Sequence, residues 1–168
     1  MQKTAPDALR DRPATFLFLQ GIASPFFSDL GKALRARGHE VRRINLCPGD
    51  WLFWNGKADN YRGRREACGT YLESYLDREA VTDIVLFGDC RPFHRAARMI
   101  AEVRGLRVHV FEEGYIRPNW ITCELGGVNG FSSLPRTADE VRALARRLPQ
   151  PGRAMPSTGD MARRSVWD

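Results

Sequence analysis

The stretch TDIVLFGDCRPFHRAARMIAEVRGLRVHVFEEG, residues 82–114, decides the fold. TDIVLFGD is a short apolar run ending in Gly, the pattern of a buried strand. RPFHRAARMIAEVRG places Pro92 at a helix start and Gly105 at its stop. LRVHVFEEG, residues 106–114, is a second apolar strand. Strand, helix and strand in that order form a βαβ unit, which needs a parallel pairing and a crossover helix.

The same alternation extends towards the N-terminus. ATFLFLQG (14–21) reads as the first strand. SPFFSDLGKALRARGH follows as a helix, with Ser24 as N-cap, Pro25 in the first position and Phe27, Leu30 and Leu34 at helical spacing. EVRRINL (40–46) is the second strand, and residues 47–63 read as a loop rich in aromatics and turn residues. REACGTYLESYLDRE is a helix before the third strand. Beyond residue 114, the stretch to Gly130 reads as loop. TADEVRALARRL is a last helix, with Thr137 and Glu140 at capping-box spacing and an apolar stripe of Val141, Leu144, Ala145 and Leu148. The fold class is α/β: a Rossmann-like, mostly parallel sheet with helices on both faces. The expected organisation is a disordered tail over 1–13, the α/β domain over 14–148, and a Pro/Gly linker with a broken helix over 149–168.

The 168 residues suit a single core-forming domain, and 43% hydrophobic with 27% charged residues is globular composition. The N-terminus lacks the apolar region of a secretion signal, which points to the cytoplasm. The net charge of +6 is carried mostly by Arg, which forks well onto carboxylate and phosphate. Cys47, Cys68, Cys90 and Cys123 have no CxxC spacing, so they read as free and mostly buried thiols rather than zinc ligands.

In open α/β sheets, ligands bind outside the carboxyl ends of the strands. Those ends carry Gln20 and Gly21, then Asp50 and Trp51, then Asp89 and Arg91 with His94 one turn on, then Glu112 and Glu113 followed by Tyr115 and Arg117. GDCRPFH also opens a helix, whose N-terminus favours an anion. Arg91 suits a carboxylate or phosphate, and His94 suits proton transfer or hydrogen-bond donation, or a plain capping role. Strand alternation lets only one of Glu112 and Glu113 face the crevice; a carboxylate there suits attack on an electrophilic sugar carbon, or a salt bridge holding the loop. Tyr115 and Trp120 stack on a sugar or fill the core. The loop with Asp50, Trp51 and Trp54 grips a carbohydrate or an acyl chain, or simply packs. GGVNG, residues 126–130, does not match a phosphate loop, and no dinucleotide fingerprint follows the first strand.

QGIASPFFSDLGKALRARGHEVRRINLCPGDWLFW, YRG, DIVLFGDCRPFHRAA and the run from VFEEGYIRPNWIT to LPR closely resemble the bacterial capsule polysaccharide synthesis and export family of the KpsS/LipB type, over roughly residues 15–136. The resemblance implies one lobe of a GT-B glycosyltransferase: a retaining β-Kdo transferase that takes CMP-Kdo as donor substrate and uses no metal or other cofactor. It implies a lipid-linked anionic glycan as acceptor, a peripheral place at the inner face of the inner membrane, and other capsule assembly proteins as partners. Carried onto this sequence, Glu113 is the first choice for nucleophile and Glu112 the second, with His94, Asp89 and Arg91 at the cleft wall. Gln20 and Gly21 match the first-strand motif, and Arg117 and Glu124 match the loop motif with open roles. Family members run to roughly twice this length, so the expectation is a truncated member, inactive alone. The alternatives are a non-catalytic domain binding glycans or export partners, and a nucleic-acid module. Against the latter, the arginines are spread over helices without a basic stripe.

Overall fold

The computed structural model describes residues 12–114 and 120–148. In it, strands β1 (Thr15–Phe18), β2 (Glu40–Asn45), β3 (Asp59–Asn60), β4 (Asp83–Phe87), β5 (Arg107–Glu113) and β6 (Ile121–Leu125) form one sheet in the order β3-β2-β1-β4-β5-β6. The first five are parallel and β6 is antiparallel to β5. That order is the doubly wound arrangement, with its switch point between β1 and β4. Residues 1–11 of the expected 1–13 tail, and the expected linker over 149–168, lie outside the described residues.

Strand alternation sorts the core into two clusters. Leu17, Leu19, Ile84, Leu86, Val108 and Val110 point to one face, under Leu72, Tyr75 and Leu76 of α3 (Cys68–Arg78) and Ala97 and Ala101 of α4 (Pro92–Arg104). Phe18, Val85 and Phe87 point to the other, against Phe27, Leu30 and Leu34 of α1 (Phe26–Ala36) and against Trp54. Both faces are therefore covered. Each large side chain buried this way contributes roughly 1.5–3 kcal/mol. Helix α1 begins one residue later than the sequence pattern indicates: Pro25 is the capping residue, and the Ser24 hydroxyl accepts from the Phe26 amide at 3.2 Å.

Four expectations need correction. Residues 47–63 are not all loop. Cys47 caps a short helix α2 (Pro48–Leu52), and Asp59–Asn60 pair with Ile44 and Asn45. The stretch after Gly114 contains β6, whose pairing sets Glu112 opposite Thr122 and Val110 opposite Glu124. The turn end is closed by the Gly114 amide donating to the Trp120 carbonyl at 3.0 Å. Helix α5 (Ala138–Ala145) has the expected Thr137–Glu140 capping box, but Val141, Leu144, Ala145 and Leu148 are all exposed. The cysteines are free but not mostly buried: Cys68 is buried, Cys47 half-buried, and Cys90 and Cys123 exposed.

The amino edge of the sheet is held by charge. Asp83, fully buried at the start of β4, accepts from Arg107 Nε and Nη2, His109 Nε2 and the Thr82 hydroxyl, each at 2.7 Å. Burial alone would raise its pKa. The hydrogen bonds from His109, Arg107 and Thr82 outweigh it and hold the carboxyl down at about 2.

Candidate functional site

Because β1 to β5 run parallel, their carboxyl ends share one edge, and the groups singled out in the sequence gather there. The switch point is crossed by Arg91, whose Nη1 donates to the Gly21 carbonyl at 3.0 Å. Its other N–H groups have no partner among the described residues. The Gly21 amide donates in turn to Asp50 Oδ1 at 3.1 Å. Gln20 reaches across to Cys47 Sγ at 3.5 Å, joining the end of β1 to the start of α2.

Asp50 does not open onto the crevice. It is buried against Arg43 at 2.7 Å and accepts the Leu46 and Cys47 amides through Oδ2. Arg43 also bonds the Leu19 carbonyl and Asn45 Oδ1 and stacks on Trp54, 5.2 Å from the ring centroid. Asp89 is likewise buried. Its Oδ2 accepts the Val128 amide at 2.9 Å and its Oδ1 the Cys90 thiol at 3.2 Å, so it ties β4 to the GGVNG segment. Both carboxylates shape the crevice wall from behind.

His94 sits in the first turn of α4, fully buried. Its Nδ1 lies 2.7 Å from the Gly88 carbonyl. A carbonyl only accepts, so Nδ1 carries the proton and Nε2 is left as an acceptor. Nε2 is buried without a hydrogen-bond partner among the described residues. Burial pushes the pKa down to about 4, helped by the charges of Arg91 and Arg43 and opposed by the Gly88 bond and Asp50. At neutral pH the ring is an uncharged imidazole.

Glu112 and Glu113 diverge as strand alternation requires. Glu112 follows Val108 and Val110 on the α4 side of the sheet, while Glu113 stands exposed at the end of β5 on the side of Phe111 and α1. Gly88, at φ +70°, lies beneath the Glu112 carboxylate; a methyl there would sit 3.6 Å from Oε2. Glu112 Oε1 accepts the Glu113 amide at 3.2 Å. The structure therefore groups Glu112 with Gly88, whose carbonyl holds His94. Glu124 projects from the same face of β6. Its Oε2 accepts the Ser132 hydroxyl at 2.6 Å and the Ser133 amide at 3.2 Å, while Oε1 is buried without a partner among the described residues. Tyr115 and Arg117 lie outside the described residues.

Among the described residues, no cluster of His, Cys, Asp and Glu is arranged to hold a metal ion, and no helix is long and apolar enough to cross a membrane. One hollow, about 690 Å³, lies away from this edge, along the outer side of β2. Its Arg42 is paired with Glu40 and Glu79. A second hollow, about 450 Å³, opens at the carboxyl edge between α2 and the end of β3. Sequence reasoning missed Arg43, the residue around which the edge is built. The signal was an arginine inside a strand, two residues from Val41 and so on the same face, where a buried partner is needed to justify it.

Comparisons with known proteins point to a capsule polysaccharide family. The family model described as "Capsule polysaccharide biosynthesis protein" matches residues 82–168. The Capsule polysaccharide export protein KpsS of Escherichia coli is 38% identical over 157 residues, 90% of this chain and 40% of that protein. The Capsule polysaccharide modification proteins LipB of Neisseria meningitidis serogroups A and B are each 38% identical over 138 residues, 78% of this chain and 32% of theirs. The chain thus spans well under half the length of these curated relatives.

Proposed function

We propose, from the premise that this chain belongs to the capsule polysaccharide biosynthesis family, that its carboxyl edge is the acceptor-side half of a glycosyl-transfer site. The reaction is retaining transfer of Kdo from CMP-Kdo to a lipid-linked Kdo-bearing acceptor at the inner face of the inner membrane. One observation carries the reading: the Glu112 carboxylate rests over Gly88, whose carbonyl holds His94, at the edge where Arg91 crosses from α4 to Gly21.

In this scheme a carboxylate attacks the anomeric carbon of the donor sugar. The bond to CMP breaks and its electron pair leaves with the phosphate. An acceptor hydroxyl, its proton passing to the released CMP phosphate, then displaces the carboxylate from the face that CMP left, so two inversions retain the configuration. Its neighbours favour Glu112 for this role over the more exposed Glu113. The free N–H groups of Arg91, at the start of α4, meet the phosphate or the sugar carboxylate. The neutral His94 holds Gly88 in place. The nucleotide's remaining contacts are assigned to the additional length that the relatives have.

The test is transfer. The chain is incubated with CMP-Kdo, generated in situ, and a synthetic lipid-linked Kdo acceptor, alone and with the remaining length of a KpsS-type relative supplied as a separate chain. The expected product carries one added Kdo mass in the supplemented reaction, and it is lost with Glu112→Gln but kept with Glu113→Gln. Loss with Glu113→Gln alone would exchange the two roles. A second reading, glycan binding without turnover, is favoured by the consumption of Asp50, Asp89 and Glu124 in holding backbone. Acceptor binding with no product in either reaction would select it.

A further inference from the structure

The hollow between α2 and the end of β3 has features that the transfer site does not use. GDWLFW holds two tryptophans with opposite fates. Trp54 is buried on Gly31 of α1, whereas Trp51, three residues earlier, is 68% exposed. Trp51 is not on a loose loop. Asp50 beside it is buried and held by Arg43 and three backbone amides. An exposed indole on a fixed mount is a ready stacking surface. Facing it across the hollow are Asn60, Tyr61 and Arg62. Asn45 donates to Asn60 Oδ1 at 3.0 Å, which leaves the Asn60 NH2 group free to donate. The volume of about 450 Å³ lies inside the range of roughly 300–1,000 Å³ for small-molecule sites.

Charge points the same way. Arg62, Arg64 and Arg65 fall within four residues and are exposed, and none has a side-chain hydrogen bond or ion pair among the described residues. Elsewhere Arg42, Arg43, Arg78, Arg104, Arg107 and Arg142 are each bound to a carboxylate. Three unneutralised forks beside an open indole make a site for a ring that carries an anion.

We propose that this hollow is a subsite for anionic sugar residues, carboxylated or phosphorylated, with Trp51 stacking on the ring and Arg62 forking onto the anion. Arg64 and Arg65 extend the basic rim along the glycan. The Gln20–Cys47 contact joins this wall to the transfer edge, so one chain can lie across both. The inference rests on the glycan reading above but not on catalysis.

The test is calorimetric titration of the 168-residue chain with tetragalacturonate and with phosphopentamannose, which separate the two anions. Maltotetraose, single-stranded oligo-dT and vesicles of equal phosphatidylcholine and phosphatidylglycerol are the controls. Expected is salt-sensitive binding of either or both anionic sugars, little of maltotetraose, and weakening by about tenfold in each of Trp51→Ala and Arg62→Ala. The exposed Arg37→Ala should match wild type. Both hollow residues are exposed, so unchanged thermal midpoints will show that the variants fold. The proposal is overturned if no anionic sugar binds, or if Trp51→Ala and Arg62→Ala leave affinity intact. It also fails if the two residues prove to serve oligo-dT or vesicles instead. Binding that needs Arg91 but neither Trp51 nor Arg62 would sink this subsite and leave the transfer site standing. Binding that needs both, with no transfer, would do the reverse.

Discussion

Arg43 Nη2 lies 2.7 Å from Asp50 Oδ1, with both side chains almost wholly removed from solvent. This pair, not a ligand, explains why an Asp follows the second strand. Through it the ends of β1, β2 and α2 are joined at Gly21, Leu46 and Cys47. Removing one partner of a buried pair leaves the other charge uncompensated, at a cost of about 3–5 kcal/mol. Asp50→Ala should therefore lose about that much in urea unfolding, while Asp50→Asn, which still accepts backbone bonds, loses less. Equal stability of Asp50→Ala and wild type would show that the pair does not hold the edge.

His94 should impose a pH dependence of its own. In the folded chain it takes up a proton only near pH 4, against an ordinary value of 6.5 when unfolded. Between those values the unfolded chain binds the extra proton. Stability is full above pH 6.5, falls as pH drops, and levels off below 4, for a total of about 3 kcal/mol. His94→Asn can keep a donor to Gly88 and cannot charge, so its stability should fall less than that of wild type between pH 7 and pH 4. Urea midpoints across that interval measure the difference.

Asp83 acts in the next window down. Its folded pKa of about 2 lies below the ordinary 3.8, so its contribution is complete above about pH 4 and fades as pH falls through 2. The amount at stake is on the order of 2 kcal/mol. Asp83→Asn should remove that acid limb and lower stability at neutral pH, because Arg107 loses its counter-charge and the Oδ2 acceptor is replaced by an NH2 donor facing Arg107 and Thr82. An unchanged acid transition in the variant would place the limb elsewhere.

Much of this was legible in the sequence, and the reasons differ by residue. Alternating buried positions such as Leu17 and Phe18, or Leu86 and Phe87, leave a continuous apolar run that fixes a two-sided strand. Parallel order then carried Gly21, Asp89, Glu112 and their neighbours to one edge without any contact being known. β6 was hidden because its alternation is inverted. Ile121 and Leu125 are exposed while Thr122 and Glu124 turn toward α4, and two glycines follow the strand directly. The stripe on α5 was read correctly as apolar, but apolar spacing says nothing about what covers it. The roles of Asp50 and Asp89 were beyond the residue type alone, because a carboxylate that binds ligand and one that binds backbone are spelled alike. Only the burial around each tells them apart.

Two adjacent glycines offer a test of how the GGVNG segment is held. At Gly126 a methyl would meet nothing within 4 Å, but φ is +87°, so Gly126→Ala costs the left-handed strain of roughly 1–2 kcal/mol. At Gly127 a methyl would come within 2.5 Å of Phe131 Cβ and 3.1 Å of Asp89 Oδ2. Phe131 cannot retreat freely, because the Arg98 guanidinium lies 4.2 Å over its ring and is itself bonded to the Gly126 carbonyl. Relief must therefore come from a shift of the Gly127 backbone itself, which draws the adjoining Val128 amide off Asp89. Gly127→Ala should cost about 1–3 kcal/mol and raise exchange of the Val128 amide. Gly126→Ala should cost a similar amount with that amide still protected. The two substitutions would then match in stability yet differ at the site, since only Gly127→Ala releases the carboxylate that ties β4 to the loop beside Glu112. Protection of Val128 retained in Gly127→Ala would mean that Phe131 yields instead, and that the loop is less firmly clamped than its contacts imply.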